Sequence, residues 1–175
     1  RRAQLLVITK CPAEMSAEEA EKIREEIDPA EGQELFFTSI LYGTPYHILA
    51  GNTNPIDEET EVLLVTGIAN PRPLKNYLSN NTESYYEMLY DDHHIFSIDD
   101  WKEIINRFKM MQSEKKMILT TEKDAVRLIK FEQELKELPF YVIPMKMEFL
   151  FGSERKFIDL IITFIKGFKT RKQNN

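Results

Sequence analysis

Two acidic residues run directly into two histidines near the middle of the chain, in the segment Tyr-Asp-Asp-His-His-Ile-Phe at residues 90–96. Imidazole is the side chain that exchanges a proton near neutral pH, and a neighbouring carboxylate can fix its tautomer and raise its basicity. Asp92 and His93 therefore form a candidate acid–base pair. Neighbours on an extended strand point to opposite sides, so a His93 that faces a cleft needs a carboxylate from elsewhere.

The same cluster has two other interpretations. Asp and His are also metal ligands, and an Asp-His-His triplet, here Asp92 to His94, marks one superfamily of manganese-dependent phosphoesterases. Those enzymes need several more acidic ligands at strand ends, and no such set is evident in the sequence. In a purely structural interpretation, His93 and His94 only cap or hydrogen-bond a loop. Residue types alone leave all three interpretations open.

Two apolar runs flank the cluster, and each leads into a helix-opening pattern. The first run, residues 61–66, stops at Gly67 and is followed by Asn70 and Pro71, which have the residue types of a helix cap and first turn. The second run, residues 116–120, ends in hydroxyl side chains. The pattern predicts two strand-to-helix junctions, one on either side of the histidines.

Thr121 and Asp124 follow the second run at the spacing of a helix-opening cap. Helix N-termini favour phosphates and carboxylates, and ligands of open α/β sheets collect at the carboxyl ends of strands. Capped helix starts also occur in every α/β protein, so plain architecture remains the alternative. The candidate substrate- or phosphate-binding residues at the two junctions are Gly67, Asn70, Thr120, Thr121, Lys123 and Asp124.

Strand-like and helix-like patterns alternate through the central part of the chain. The predicted strands are residues 61–66, 84–89, 116–120 and 140–143, and the predicted helices are residues 71–78, a segment opened by Ser97, and residues 122–132. Alternation of this kind predicts an α/β fold with a mainly parallel sheet flanked by helices. Trp101, Phe108 and Met110 are predicted core residues.

The first fifty residues predict a strand, a helix and a β-hairpin. Residues 4–9 have the pattern of a buried strand, and Ser16 with a Glu three positions later predicts a helix start. Two β-rich runs joined by Gly-Thr-Pro predict the hairpin over residues 34–49. His47 alternates with apolar neighbours in the second run, which favours a strand residue over a ligand.

Composition excludes several classes of protein. The 175 residues carry a formal charge of −6, which argues against a nucleic-acid surface. Cys11 is the sole cysteine, so no disulfide can form within the chain. No window is as long as a membrane span. Residues 157–168 predict an amphipathic helix followed by basic residues, which either packs its apolar face on the core or lies at a membrane surface.

Four ordered segments resemble the second half of the tetraacyldisaccharide 4'-kinase family of the lipid A pathway: VTGIANPRPLKNYL, YDDHHIFSIDDW, MILTTEKDAVRL and LPFYVIPMKMEF. The opening RRAQLLVITKCP resembles that family's segment between the nucleotide domain and the second domain. The likeness extends in order from Arg1 to about Phe149. It implies the second domain of a two-domain P-loop kinase, without the P-loop part.

The resemblance also implies a reaction. Family members transfer the γ-phosphate of ATP, with magnesium, to the 4'-hydroxyl of a tetraacylated glucosamine disaccharide 1-phosphate at the cytoplasmic face of the bacterial inner membrane. In the family's Asp-His motif the first His supports a catalytic aspartate of the N-terminal domain. That motif maps onto His93 as the catalytic residue, with Asp92 as the preceding acid. Tyr90 stands where the family usually has Phe, which is a mild departure.

No G-x-x-x-x-G-K-[ST] phosphate loop occurs in the sequence. ATP and magnesium are therefore expected to bind mainly outside this chain, which is expected to supply no metal ligand and to be inactive alone. The expected divisions are residues 1–33 as the end of the nucleotide domain or the start of the second domain, 34–50 as a β-hairpin at the connection between domains, 61–149 as the α/β C-terminal domain, and 150–175 as a helix with a basic tail. The alternative from another class is a non-catalytic α/β module that binds a phospholipid or a protein partner.

Overall fold

The computed structural model describes residues 3–173, with side chains described as far as residue 167. The chain divides into two compact units. The central unit is Tyr42–Met145, and the terminal unit combines Arg1–Leu41 with Lys146–Asn175.

The strands and helices are named in chain order. The strands are β1 (Leu5–Cys11), β2 (Glu34–Tyr42), β3 (Tyr46–His47), β4 (Glu61–Thr66), β5 (Ser84–Leu89), β6 (Lys116–Thr121), β7 (Phe140–Ile143) and β8 (Met145–Phe149). The helices are α1 (Ala17–Ile27), α2 (Arg72–Asn81), α3 (Ile98–Met110), α4 (Glu122–Leu128), α5 (Glu132–Leu135) and α6 (Glu154–Gln173), with short 3-10 turns at Ile129–Phe131 and Leu150–Gly152.

The central unit is built on a five-stranded sheet in the order β3-β7-β6-β4-β5. The last four of these strands are parallel, and only β3 is antiparallel to its neighbour. Every residue of β4 is buried, as expected for a strand covered on both faces. The predicted α/β class, a mainly parallel sheet flanked by helices, is confirmed.

Alternate residues of β4 point to two separate cores. Leu63 and Val65 pack with α3, α4 and α5, while Val62 and Leu64 pack with α2. Because the strands run in the same direction, the ends of β4, β5 and β6 lie at one edge of the sheet. The segments that carry Gly67, His93 and Thr121 therefore meet at that edge.

One predicted core residue in α3, Met110, is not buried. Trp101, Ile104 and Phe108 are buried and recur at the helical spacing, which continues to Met111 rather than to Met110. Met110 is 69% exposed. Its assignment to the core was wrong because one step along a helix rotates a side chain by about 100°.

The predicted hairpin over residues 34–49 is also wrong. Strand β2 pairs with β1 and β8 in a three-stranded sheet, whereas β3 pairs with β7 in the five-stranded one. The Gly43-Thr44-Pro45 turn therefore separates two strands that belong to different sheets. His47 lies in β3, as predicted, and both of its ring nitrogens contact backbone groups.

The terminal unit contains the β1-β2-β8 sheet, with β1 parallel to β2. Ser16 opens α1 with the predicted capping box. Phe157 of α6 packs on Phe36 and Phe149, but from Ile158 onward most apolar side chains of the helix are exposed. The side chains of residues 169–172, three of which are basic, lie outside the described part. Within residues 3–173, no helix combines the length and apolar character that crossing a bilayer requires.

Candidate active site

The loop that follows β5 is held by the end of β4. Tyr90 N donates to Thr66 O at 2.9 Å, and His93 N donates to Gly67 O at 3.3 Å. The backbone of His93 has φ 66°, in the left-handed region. For a non-glycine residue, this conformation costs about 1–2 kcal/mol of conformational free energy. Strain of this kind clusters at functional sites, which directs attention to the His93 side chain.

Gly67 permits the close approach of this loop. A Cβ atom at Gly67 would lie 2.9 Å from the carbonyl oxygen of Asp91 and 3.3 Å from the Cβ of His94. The backbone N–H of Gly67 donates to Asp124 Oδ2 at 3.1 Å. Gly67, which was predicted as a phosphate-binding residue, therefore packs against the loop of Asp91 and His94 and donates its N–H to Asp124.

We expect Gly67→Ala to lower the free energy of unfolding by about 1–3 kcal/mol, because the methyl group must push the backbone of Asp91 away. Urea unfolding of the chain measures the change. The matched control is Gly167→Ala in α6, where a Cβ meets nothing within 4 Å and alanine favours the helix. Equal stability of Gly67→Ala and wild type would contradict the proposed contact.

The His93 side chain lies between a cation and an anion. Its Nδ1 atom is 3.0 Å from an Arg127 guanidinium nitrogen, and its Nε2 atom is 3.5 Å from Asp92 Oδ2. Lys123 Nζ donates to Asp92 Oδ1 at 2.7 Å, and this hydrogen bond holds the pKa of Asp92 below its ordinary value. The His93 side chain remains 70% exposed. Two cationic side chains of α4 therefore act on this exposed imidazole: Arg127 contacts the ring directly, and Lys123 holds the neighbouring Asp92.

Asp124 connects the elements beneath this histidine. It is fully buried, and its Oδ2 accepts hydrogen bonds from Thr66 Oγ1 at 2.8 Å, Gly67 N at 3.1 Å and Thr121 Oγ1 at 2.8 Å. Its Oδ1 accepts from an Arg127 guanidinium nitrogen at 3.2 Å. Thr121 Oγ1 accepts from the backbone N–H of Asp124, so the predicted helix cap is present. One carboxylate therefore ties β4, β6 and α4 together.

His94 has a different environment from its neighbour. Its ring stacks on Tyr90 with centroids 4.6 Å apart and meets the edge of Phe96. Its Nε2 lies 2.9 Å from Asp100 Oδ2. Asp100 is also part of the capping box of α3, through Ser97. His94 therefore fits the purely structural interpretation of the cluster, because its contacts hold the loop in place.

Two opposing effects act on the Asp100 carboxyl. Partial burial acts to raise the pKa of Asp100, but hydrogen bonds from Ser97 and His94 outweigh it and leave the pKa below its ordinary value. A carboxyl with a lowered folded pKa contributes stability that is present above its unfolded pKa. That stability is lost as the pH falls through the folded pKa.

We therefore expect the free energy of unfolding to decrease as the pH falls below about 4. Urea unfolding between about pH 6 and about pH 3 measures the slope. Asp100→Asn should flatten this dependence, because the amide cannot gain the proton. Asp99→Asn, at a neighbouring side chain that is 90% exposed, is the control. A pH dependence that stays unchanged in Asp100→Asn would contradict the expectation.

The remaining predicted residues fall into two groups. Gly67, Thr121, Lys123 and Asp124 lie in the network around His93. Thr120 is fully buried, with a hydroxyl that finds no hydrogen-bond partner among the described residues, so it lies inside the core.

Asn70 was predicted as a site residue and Arg127 was not. Asn70 is exposed, and its Oδ1 accepts from Arg72 N at the start of α2. Arg127 was missed as a site residue, although its spacing of three from Asp124 on one helix was the available signal. In the described part of the chain, no three His, Cys, Asp or Glu side chains converge where they could hold a metal ion.

Comparison with known proteins identifies relatives along nearly the whole chain. A family model for tetraacyldisaccharide-1-P 4'-kinases matches residues 1–166. Tetraacyldisaccharide 4'-kinase of Bacteroides thetaiotaomicron is 35% identical, and the match covers 94% of this chain and 47% of that protein. The corresponding protein of Parabacteroides distasonis is 34% identical, covering 100% of this chain and 48% of that protein. The chain thus spans about half the length of these curated relatives.

A solved structure also shows similarity. It is the "apo" form of LpxK from Aquifex aeolicus in complex with ATP, with a TM-score of 0.48 and 18% identity. The match covers 91% of this chain and 51% of that one.

Proposed function

This chain belongs to the tetraacyldisaccharide-1-P 4'-kinase family, and from that premise we propose that it is the C-terminal part of an ATP-dependent lipid A kinase. The full protein transfers the γ-phosphate of ATP to the 4'-hydroxyl of tetraacyldisaccharide 1-phosphate. Because this acceptor carries acyl chains, we infer that the full protein works peripherally at the cytoplasmic face of the bacterial inner membrane.

The observation that carries the proposal is the presentation of His93. Its ring is 70% exposed at the carboxyl edge of a parallel sheet, on a left-handed backbone, and its two nitrogens face Arg127 and Asp92. Catalysis of phosphoryl transfer depends mainly on positioning and on charge stabilisation, which a fixed, accessible imidazole can supply.

This chain contributes one side of the proposed active site. His93 is proposed to meet the reacting groups, and Asp92 and Lys123 hold its surroundings through their ion pair. Gly67 and Asp124 fix the loop and the helix that carry these residues. Their proposed role is therefore positioning rather than direct contact with phosphate.

ATP is proposed to bind mainly through the part of the protein outside this chain, because the chain contains no phosphate-loop sequence. No three candidate ligands converge among the described residues, and we propose that magnesium, like ATP, binds mainly outside this chain. We therefore assign no step in this chain to a metal ion. The chain by itself is proposed to be inactive.

Transfer of labelled phosphate from ATP to tetraacyldisaccharide 1-phosphate tests the proposal. The full-length protein should phosphorylate the acceptor in the presence of magnesium, and residues 1–175 alone should not. Failure of the full-length protein to phosphorylate this acceptor would overturn the assignment. Binding of acceptor-containing vesicles by residues 1–175, without activity of the full protein, would favour the non-catalytic module instead.

A further inference from the structure

We propose that Arg127 is the positioning residue that sets the tautomer of His93, so that the imidazole presents Nε2–H as a hydrogen-bond donor. The use of that donor in phosphoryl transfer rests on the proposed function, whereas the tautomer itself does not. Lys123 and Asp92 support the same arrangement from the other side of the ring.

The chemistry of the two side chains decides which nitrogen carries the proton. A guanidinium group has five N–H donors, has no acceptor and stays protonated. The Arg127 nitrogen 3.0 Å from His93 Nδ1 can therefore only donate, and Nδ1 must be unprotonated to accept. A neutral imidazole then carries its single proton on Nε2. Nε2 lies 3.5 Å from Asp92 Oδ2, a contact that is longer than an ordinary hydrogen bond but suits a protonated nitrogen beside a carboxylate.

Arg127 is held firmly enough to impose this choice. Its other terminal nitrogen donates to Asp124 Oδ1 at 3.2 Å, and its side chain is only 23% exposed. Asp124 is fully buried and is fixed by Thr66, Gly67 and Thr121. One terminal nitrogen of the planar Arg127 guanidinium thus binds the fixed Asp124 carboxylate, and the other is directed at the His93 imidazole.

The arrangement limits what His93 can do. Its only acceptor atom is already occupied by Arg127, so the ring cannot take a proton directly from a substrate hydroxyl while this contact persists. Its Nε2–H can instead donate to an oxygen with negative charge, as it faces Asp92 here. The geometry therefore indicates a histidine that orients and stabilises an oxyanion or carboxylate rather than a free general base.

The other two histidines supply internal references. His47 Nδ1 accepts from the backbone N–H groups of Leu49 and Ala50, and its Nε2 contacts Leu138 O. His94 Nε2 contacts the carboxylate of Asp100. Neither ring contacts Arg127. Since the chain has only three histidines, each ring can be resolved in one spectrum.

Imidazole ¹⁵N NMR of residues 1–175 at about pH 8, where histidines of ordinary pKa are neutral, tests the tautomer directly. We expect His93 to carry its proton on Nε2, with Nδ1 at the shift of a hydrogen-bonded acceptor. In Arg127→Met the Nδ1 resonance should move towards that of an unbound acceptor, while the His47 and His94 resonances stay in place. Arg107→Met, on another helix, is the matched control and should change none of the three.

Arg127→Met leaves the buried Asp124 without its cation, so Arg127→Lys is the second variant. Lysine keeps the positive charge beside Asp124, but its single ammonium group cannot serve both partners in the geometry of the fork. We expect this variant to fold and still to show the Nδ1 shift. A His93 protonated on Nδ1 in the wild type, or ¹⁵N shifts of His93 unchanged in both variants, would overturn the tautomer assignment.

Steady-state kinetics of the full-length protein test the positioning role. Arg127→Lys should lower kcat at least tenfold, with KM for the acceptor changed less than twofold. A wild-type kcat, together with a shifted Nδ1 resonance, would overturn the positioning role while the tautomer stands. If the wild-type full-length protein has no kinase activity, the proposed function fails, and the ¹⁵N experiment still decides the contact between Arg127 and His93.

Discussion

Replacing His93 by asparagine lowers kcat of the full-length kinase by about 100-fold or more and leaves its unfolding temperature unchanged, if the proposed function is correct. Asparagine tolerates the left-handed backbone of this position and removes the imidazole with its Nε2–H donor. The side chain is 70% exposed, so its loss opens no cavity. Initial rates of 4'-phosphorylation and thermal unfolding measure the two effects.

His94→Asn is the matched control, one residue along the same loop. It removes the stack on Tyr90 and the contact with Asp100, so it should lower the free energy of unfolding by about 2 kcal/mol. The two adjacent histidines should therefore separate activity from stability. Full turnover in His93→Asn would remove the imidazole from the mechanism, and equal loss of stability in both variants would show that His93 is structural.

Replacing Asp124 by alanine is expected to lower the free energy of unfolding by about 3–5 kcal/mol. The change strands three donors, on Thr66, Gly67 and Thr121, and leaves Arg127 without its carboxylate. Burial makes the loss severe, because water does not reach the donors to replace the missing acceptor. Urea unfolding of residues 1–175 measures the change.

Asp99→Ala is the control for this prediction, since the Asp99 side chain is 90% exposed and pairs with the exposed Lys102. It should change the free energy of unfolding by less than about 0.5 kcal/mol. Asp124→Ala should also release Arg127 and so alter the ¹⁵N resonances of His93. A loss of stability as small as that of the control would contradict the role given to the buried carboxylate.

Local patterns predicted much of this molecule. The capping box at Ser16, the helix start at Ser97 and the cap at Thr121 are present as predicted, because each depends on contacts between residues three positions apart. The predicted cap at Asn70 was wrong, since the N-cap of α2 is Pro71. The four parallel strands of the central unit lie where strand-like runs predicted them, and three of them, β4, β6 and β7, are mostly or wholly buried. The predicted junctions do meet beside His93, because parallel strands end at one edge of a sheet.

Long-range pairing was not predictable from the same patterns. The runs at residues 34–42 and 46–49 have the pattern of a hairpin, yet β2 and β3 belong to different sheets. A turn sequence permits two strands to pair but does not oblige them to do so. Met110 failed for a related reason, because the face of α3 that packs inward is set by the sheet it meets.

The sequence by itself determined the kind of fold and the starts of α1, α3 and α4, since these follow from residue types and short spacings, and the resemblance of its segments to known kinases indicated the family. Only the tertiary structure decided which of two adjacent histidines is presented and which is packed. It also decided that Arg127 contacts His93 and is itself held by the buried Asp124. The physical reason is distance along the chain: residues 34 positions apart share a hydrogen bond only after the sheet has assembled, and no local pattern encodes that contact.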